Sequence, residues 1–137
     1  MPTRKIIFVY NADSGFLNLC KDALHKWLSP ATYPCMLCEL THGNFTEDRD
    51  WRIFHKSLPL PSEFLHKDEF KLRYIGHANE PLPAVYIDID SAVFELVSQQ
   101  RLNSLKNLRE LERLITRQIA PFILPIHHEK LGALNNL

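Results

Sequence analysis

Five consecutive apolar residues, Ile6-Ile7-Phe8-Val9-Tyr10, follow Lys5 near the start of the chain. A β-branched and aromatic run of this length reads as a buried strand, which commits the chain to a sheet. The run ends at Asn11-Ala12-Asp13-Ser14-Gly15, where Asp13 or Ser14 can cap a following helix. Phe16, Leu17, Cys20, Ala23, Leu24, Trp27 and Leu28 then recur at helical spacing, and Ser29-Pro30 stops them. Thr46 to Leu58 reads as a second helix, capped by Thr46, with Trp51, Phe54 and Leu58 on its buried face. Ser62 to His66 reads as a short strand and Asp68 to Tyr74 as a short helix. After Pro81-Leu82-Pro83, two strands are expected over Ala84 to Ile89 and Ala92 to Val97, joined by a turn at Asp90-Ser91. Leu102 to Ile119 reads as an amphipathic helix with Leu105, Leu108, Leu111 and Leu114 on one stripe, ended by Pro121 and Pro125.

Elements that alternate in this way make a layered α/β or α+β domain, of which α/β is the expected class. Residues 1–120 are expected to form it, with 121–137 as a C-terminal tail. The 137 residues, 45% hydrophobic and 23% charged, suffice for one core without disulfides or metal. Lys plus Arg (16) balances Asp plus Glu (16), so no polybasic field draws the chain to nucleic acid. The apolar runs fall far short of the ~20 residues of a membrane span. Three cysteines, an odd number with no secretory signal, point to a reducing compartment, the cytoplasm.

A strand hairpin entered through a proline and followed by a helix resembles the second half of thioredoxin-like and glutaredoxin-like folds. In that family a cis-proline begins the third strand of the glutaredoxin-type core, and Pro83 in Leu82-Pro83-Ala84-Val85-Tyr86-Ile87 matches that position. The resemblance implies a three-layer domain around a central mixed sheet of about four strands. It also implies a cis Leu82–Pro83 bond and a substrate-docking role for Pro83. The family's cysteine pair directly follows its first strand. Here Asn11 to Gly15 holds that place without a thiol. The helix expected after Gly15, ~14 residues long, would put this chain's cysteine pair about 20 Å away. Tyr10-Asn11-Ala12-Asp13-Ser14-Gly15, taken with Tyr33-Pro34-Cys35-x-x-Cys38-x-Leu40-Thr41-His42-Gly43, also resembles a group of small, uncharacterised bacterial proteins. Some of them carry a GTPase label, which has no chemical basis in this chain. A phosphate-binding loop needs G-x-x-x-x-G-K-[ST], and the turn after the first strand has one glycine and no lysine.

Chemistry concentrates in Cys35-Met36-Leu37-Cys38, preceded by Tyr33-Pro34 and followed by Glu39-Leu40-Thr41-His42-Gly43. Two thiols at this spacing can close a small disulfide or share a soft metal ion. If Cys35 opens a helical turn, free backbone N–H groups favour its thiolate. Cys35 is then the attacking thiol, Cys38 the resolving thiol and His42 an electrostatic partner four residues beyond it. Cys35 is expected to be the most accessible of the three thiols and Cys20, on a core stripe, the least. The other reading makes the chain a non-catalytic binding or adaptor module, with Cys35, Cys38 and His42 as a structural or zinc-holding cluster completed by His127 or His128. The residues leave open whether the pair catalyses or senses. They imply a protein or small-thiol partner, and no cofactor beyond zinc in the second reading.

Asp13 and Ser14 stand where a strand meets a helix, a common ligand position in α/β folds, although capping explains both. Asp88 and Asp90 share a strand end, as cation ligands or as hairpin-turn residues. His25, His55, His66 and His77 lie in different elements without ligand spacing.

Overall fold

The computed structural model describes residues 3–14, 35–42 and 46–135, with side chains through residue 123. Among them four strands form one sheet: β1 (Arg4–Val9), β2 (Ser62–Leu65), β3 (Ala84–Ile89) and β4 (Ala92–Val97), in the order β2-β1-β3-β4. β1 pairs parallel with β2, from Ile6 opposite Ser62 to Val9 opposite Leu65. It pairs antiparallel with β3, from Arg4 opposite Ile89 to Val9 opposite Ala84, and β3 pairs antiparallel with β4. The sheet is mixed, as expected, and open. All four expected strands join it.

A central strand is covered on both faces, which is why Ile6 to Tyr10 is apolar throughout and does not alternate. Ile6, Phe8 and Tyr10 enter one core with Val85 and Ile87 of β3; Ile7 and Val9 enter another with Ala84 and Tyr86. The first core is closed by α1 (Met36–Thr41), α2 (Arg49–Ser57), α4 (Gln99–Asn103) and α5 (Leu108–Asn135). They contribute Leu37, Trp51, Leu102, Leu111, Ile115 and Ile119 among others. The second is closed by α3 (Lys67–Arg73) through Phe70. Each such apolar side chain contributes roughly 1.5–3 kcal/mol when fully buried. The helix expected after Gly15, with Cys20, lies outside the described residues.

The hairpin turns where the sequence indicates. Asp90 (φ 52°) and Ser91 (φ 75°) both take positive φ, as a two-residue turn matched to strand twist requires. Asp88 accepts from the Ser91 N–H at 2.8 Å, and Asp90 accepts from the Thr3 N–H at 2.7 Å. These carboxylates are turn residues.

Three helix boundaries differ from expectation. α2 is capped by Asp48, whose Oδ1 accepts from Trp51 N at 3.1 Å, so it starts after Thr46. The expected 102–119 helix is two: Ser98 caps α4, and Asn107 caps α5 by accepting from Glu110 N at 2.9 Å. Glu110 in turn accepts from Lys106 N at 2.7 Å, so two otherwise orphaned donors at this end are paired. Finally, α5 continues through Pro121 and Pro125 to Asn135, where a tail was expected. Two prolines four apart remove donors along a single strip of the helix. Phe122 and Ile123 pack on the core beyond the first proline, and the Arg4 guanidinium donates to the Phe122 carbonyl. Tertiary contact holds the helix where propensity would end it.

Candidate functional site

Cys35 is the N-cap of α1. Its Sγ accepts from Cys38 N at 3.2 Å and from Asn11 N at 3.4 Å. Cys35 and Cys38 form a disulfide, with Cα atoms 5.2 Å apart. The Asn11 contact overturns the expected 20 Å separation. Asn11 stands two residues beyond the end of β1, so the chain returns after 24 residues to set the cysteine pair at that strand end. The expectation failed because it extended a helix in a straight line, and residue spacing does not fix where Cys35 stands relative to Asn11.

Accessibility also differs from expectation. Cys35 is 1% exposed and Cys38 2%, both within the core that holds Tyr10, Leu37 and Trp51. Cys35 is therefore no more open than Cys38. Using its sulfur as the cap turns the side chain inward, toward backbone donors and away from solvent.

Leu82–Pro83 is cis and Pro83 is buried. The antiparallel register that sets Val9 opposite Ala84 brings Pro83 across from Tyr10, one residue before Asn11. Ala84 and Tyr86 face the second core while Val85 and Ile87 face the first. By alternation Pro83 belongs to the face on which the cysteines lie. The segment entering β3 is tied at two points. Gln99 Nε2 donates to the Leu82 carbonyl at 2.9 Å, and the Tyr86 hydroxyl donates to Glu80 at 3.0 Å. His77 Nδ1 meets the other oxygen of that carboxylate. Burial, with the Glu80 carboxylate beside it, pushes the Tyr86 phenol well above its ordinary range.

His42 follows α1, and its N–H donates to the Cys38 carbonyl at 2.9 Å. Its ring is half-buried, 2.8 Å from the Thr41 hydroxyl through Nδ1 and edge-on to Tyr10 at 5.6 Å. Burial lowers its pKa, against the pull of Glu47 and with the help of His66 and His55. Burial thus favours the neutral ring beside the oxidised pair. The sequence reading missed its neighbours. Tyr10 also meets His66 at 5.8 Å, Phe64 meets His55 at 4.8 Å, and Glu47 accepts from both His55 and Arg52 at 3.0 Å. No spacing announces this group, because its members come from four separate segments.

Ser14 is tied to Asp68, through its N–H at 2.9 Å and its hydroxyl at 2.5 Å, while Asp13 is exposed. The Ser14 hydrogen bonds hold the Asp68 carboxyl below its usual range. Lys67 N donates to the Ala12 carbonyl at 2.8 Å, so the whole 10–14 loop lies along the start of α3. Among the described residues no three His, Cys, Asp or Glu side chains are grouped to hold a metal ion. The side chains of His127 and His128 lie outside the described residues. No described helix is long and apolar enough to cross a membrane. Comparisons with protein-family models, with curated proteins and with solved structures find no match to this chain.

Proposed function

We propose that the chain is a thioredoxin-like thiol–disulfide protein of the redox-sensing kind, acting in the cytoplasm on a protein or small-thiol partner. The observation that carries the reading is the Cys35–Cys38 disulfide at the end of β1, with Cys35 Sγ facing two backbone N–H donors. Such donors stabilise a thiolate, which favours Cys35 as the attacking sulfur and Cys38 as the resolving one. The four-stranded mixed sheet and the hairpin followed by helices support the thioredoxin-like part, with Pro83 buried at the entry to β3. In a reducing compartment a disulfide is transient and functional more often than structural. The exchange is balanced by a partner dithiol: it gives two electrons and two protons to the Cys35–Cys38 bond and leaves as a disulfide. Burial of both sulfurs favours a slow sensor over a fast oxidoreductase, since a partner thiol must first uncover them.

The same burial favours a second reading, a binding module in which the disulfide is only a staple. One titration separates the two. The protein is equilibrated in glutathione or dithiothreitol buffers of graded potential, and thiols are counted by alkylation and mass spectrometry. A sensor shows Cys35 and Cys38 reducing together near the cytosolic poise, about −220 to −320 mV. A pair that stays oxidised well below that range sinks the sensing reading and leaves the staple.

A further inference from the structure

α1 ends in a short hydrogen-bonded chain that disulfide exchange between Cys35 and Cys38 does not by itself require. Thr41 is fully buried, and its hydroxyl lies 2.6 Å from the Leu37 carbonyl and 2.8 Å from His42 Nδ1. A hydroxyl has one proton, and a carbonyl can only accept. That proton goes to Leu37, so Thr41 Oγ1 faces the imidazole as an acceptor. Nδ1 must then carry the ring hydrogen. In the other neutral tautomer two lone pairs would face each other inside the protein, which burial makes costly. The assignment follows from the hydrogen-bond network. It leaves Nε2 with a free lone pair.

His42 is the residue that ends α1, four beyond Cys38, and its backbone N–H is bonded to the Cys38 carbonyl. Around the ring stand Tyr10 from the end of β1, Glu47 and His55 from the entry and body of α2, and His66 ahead of α3. We infer that Thr41 is a positioning residue, which holds His42 as the Nδ1–H tautomer so that Nε2 takes the Cys38 proton in the resolving step. This inference rests on the thiol–disulfide reading above. In that step Cys35 is joined to a partner's sulfur as a mixed disulfide. The Cys38 thiol gives its proton to Nε2, and its sulfur bonds to Cys35 Sγ. The Cys35–partner S–S bond breaks, and the partner's sulfur leaves with the electron pair and receives the proton from the imidazolium.

The tautomer is read directly from the two ring ¹⁵N shifts of His42 in the oxidised protein at about pH 8, where the ring is neutral. A protonated Nδ1 and unprotonated Nε2 are expected in the wild type and in Thr41→Ser, and a shift toward Nε2–H in Thr41→Val. A wild-type ring protonated at Nε2 overturns the inference without any variant. The second arm follows reduced protein mixed with glutathione disulfide, timing decay of the Cys35–glutathione mixed disulfide. Thr41→Val should slow that decay by about tenfold or more, against the ~10²–10⁴-fold a positioned acid or base contributes, and Thr41→Ser should restore it. The equilibrium potential should stay unchanged. Equal decay in Thr41→Val and the wild type overturns the positioning role while leaving the thiol–disulfide reading in place. If no mixed disulfide ever resolves to Cys35–Cys38, both fall.

Discussion

His42 is a histidine whose protonation the fold resists, because burial disfavours the charged ring more than Glu47 favours it. A depressed folded pKa means that the unfolded chain binds the proton more readily. The contribution of His42 to stability is thus complete above the ordinary histidine value of 6.5 and declines as pH falls toward the folded value. Urea midpoints measured from about pH 7.5 down to 5.5 should fall, and His42→Gln, neutral throughout, should flatten part of that slope. An unchanged slope in the variant would mean that burial of this ring is not the cause. A second residue-scale expectation concerns Asp68, whose carboxylate is favoured by the hydroxyl and N–H of Ser14. Ser14→Ala removes the hydroxyl bond, and the Asp68 pKa, followed by carboxyl carbon shifts, should rise toward the ordinary aspartate value of 3.8. Stability linked to this group is present above that value and is lost as pH falls through the lower folded one.

At the level of elements, helix ends here are set by single side chains. Asp48 caps α2 through Trp51 N, and Trp51 is fully buried on the first core. Asp48→Ala should cost about 1 kcal/mol in a urea melt, the usual cost of losing an acidic cap. A cost near zero would show that packing of Trp51 alone fixes the start of the helix. α5 tests the opposite balance, since it crosses two prolines with Arg4 bound to the Phe122 carbonyl. Arg4→Met keeps most of the stem and removes the donor. Amide exchange beyond Pro121 should then speed up while exchange over 108–119 stays slow. Uniform behaviour along α5 would argue that Phe122 and Ile123 hold the distal part unaided.

The whole molecule depends on β1 separating two cores. Phe8 joins the larger one, stacked on Phe64 at 5.0 Å and edge-on to Trp51 at 5.3 Å. Phe8→Ala should cost about 3–5 kcal/mol, a large share of the ~5–15 kcal/mol that holds a domain of this kind. The equilibrium urea midpoint measures it, and a loss under about 1 kcal/mol would contradict the packing described. Because Cys35 and Cys38 belong to that same core, Phe8→Ala should also speed reduction of the disulfide by dithiothreitol. Opening the core and uncovering the sulfurs are then one event.

Much of this architecture is written locally. The strand at Ile6 to Tyr10, the strands over Ala84–Ile89 and Ala92–Val97, the turn at Asp90-Ser91 and the helical opening at Cys35 follow from side-chain branching, alternation and proline placement. Such preferences act between residues a few positions apart, so the sequence alone determines them. The capping pattern Asn107-x-x-Glu110 was equally local, but the leucine stripe running across it conceals the break between α4 and α5. Tertiary structure decided the rest. Asn11 meets Cys35 across 24 positions, and His42, His55 and His66 gather about Tyr10 and Phe64 from separate segments. Helix α5 passes Pro121 where Phe122 and Ile123 pack on the core and Arg4 holds the Phe122 carbonyl. Those contacts depend on the path of the whole chain, and residue spacing carries no record of where a distant segment returns. The cysteine pair was legible as chemistry; its place at the end of β1 and its burial were properties of the fold.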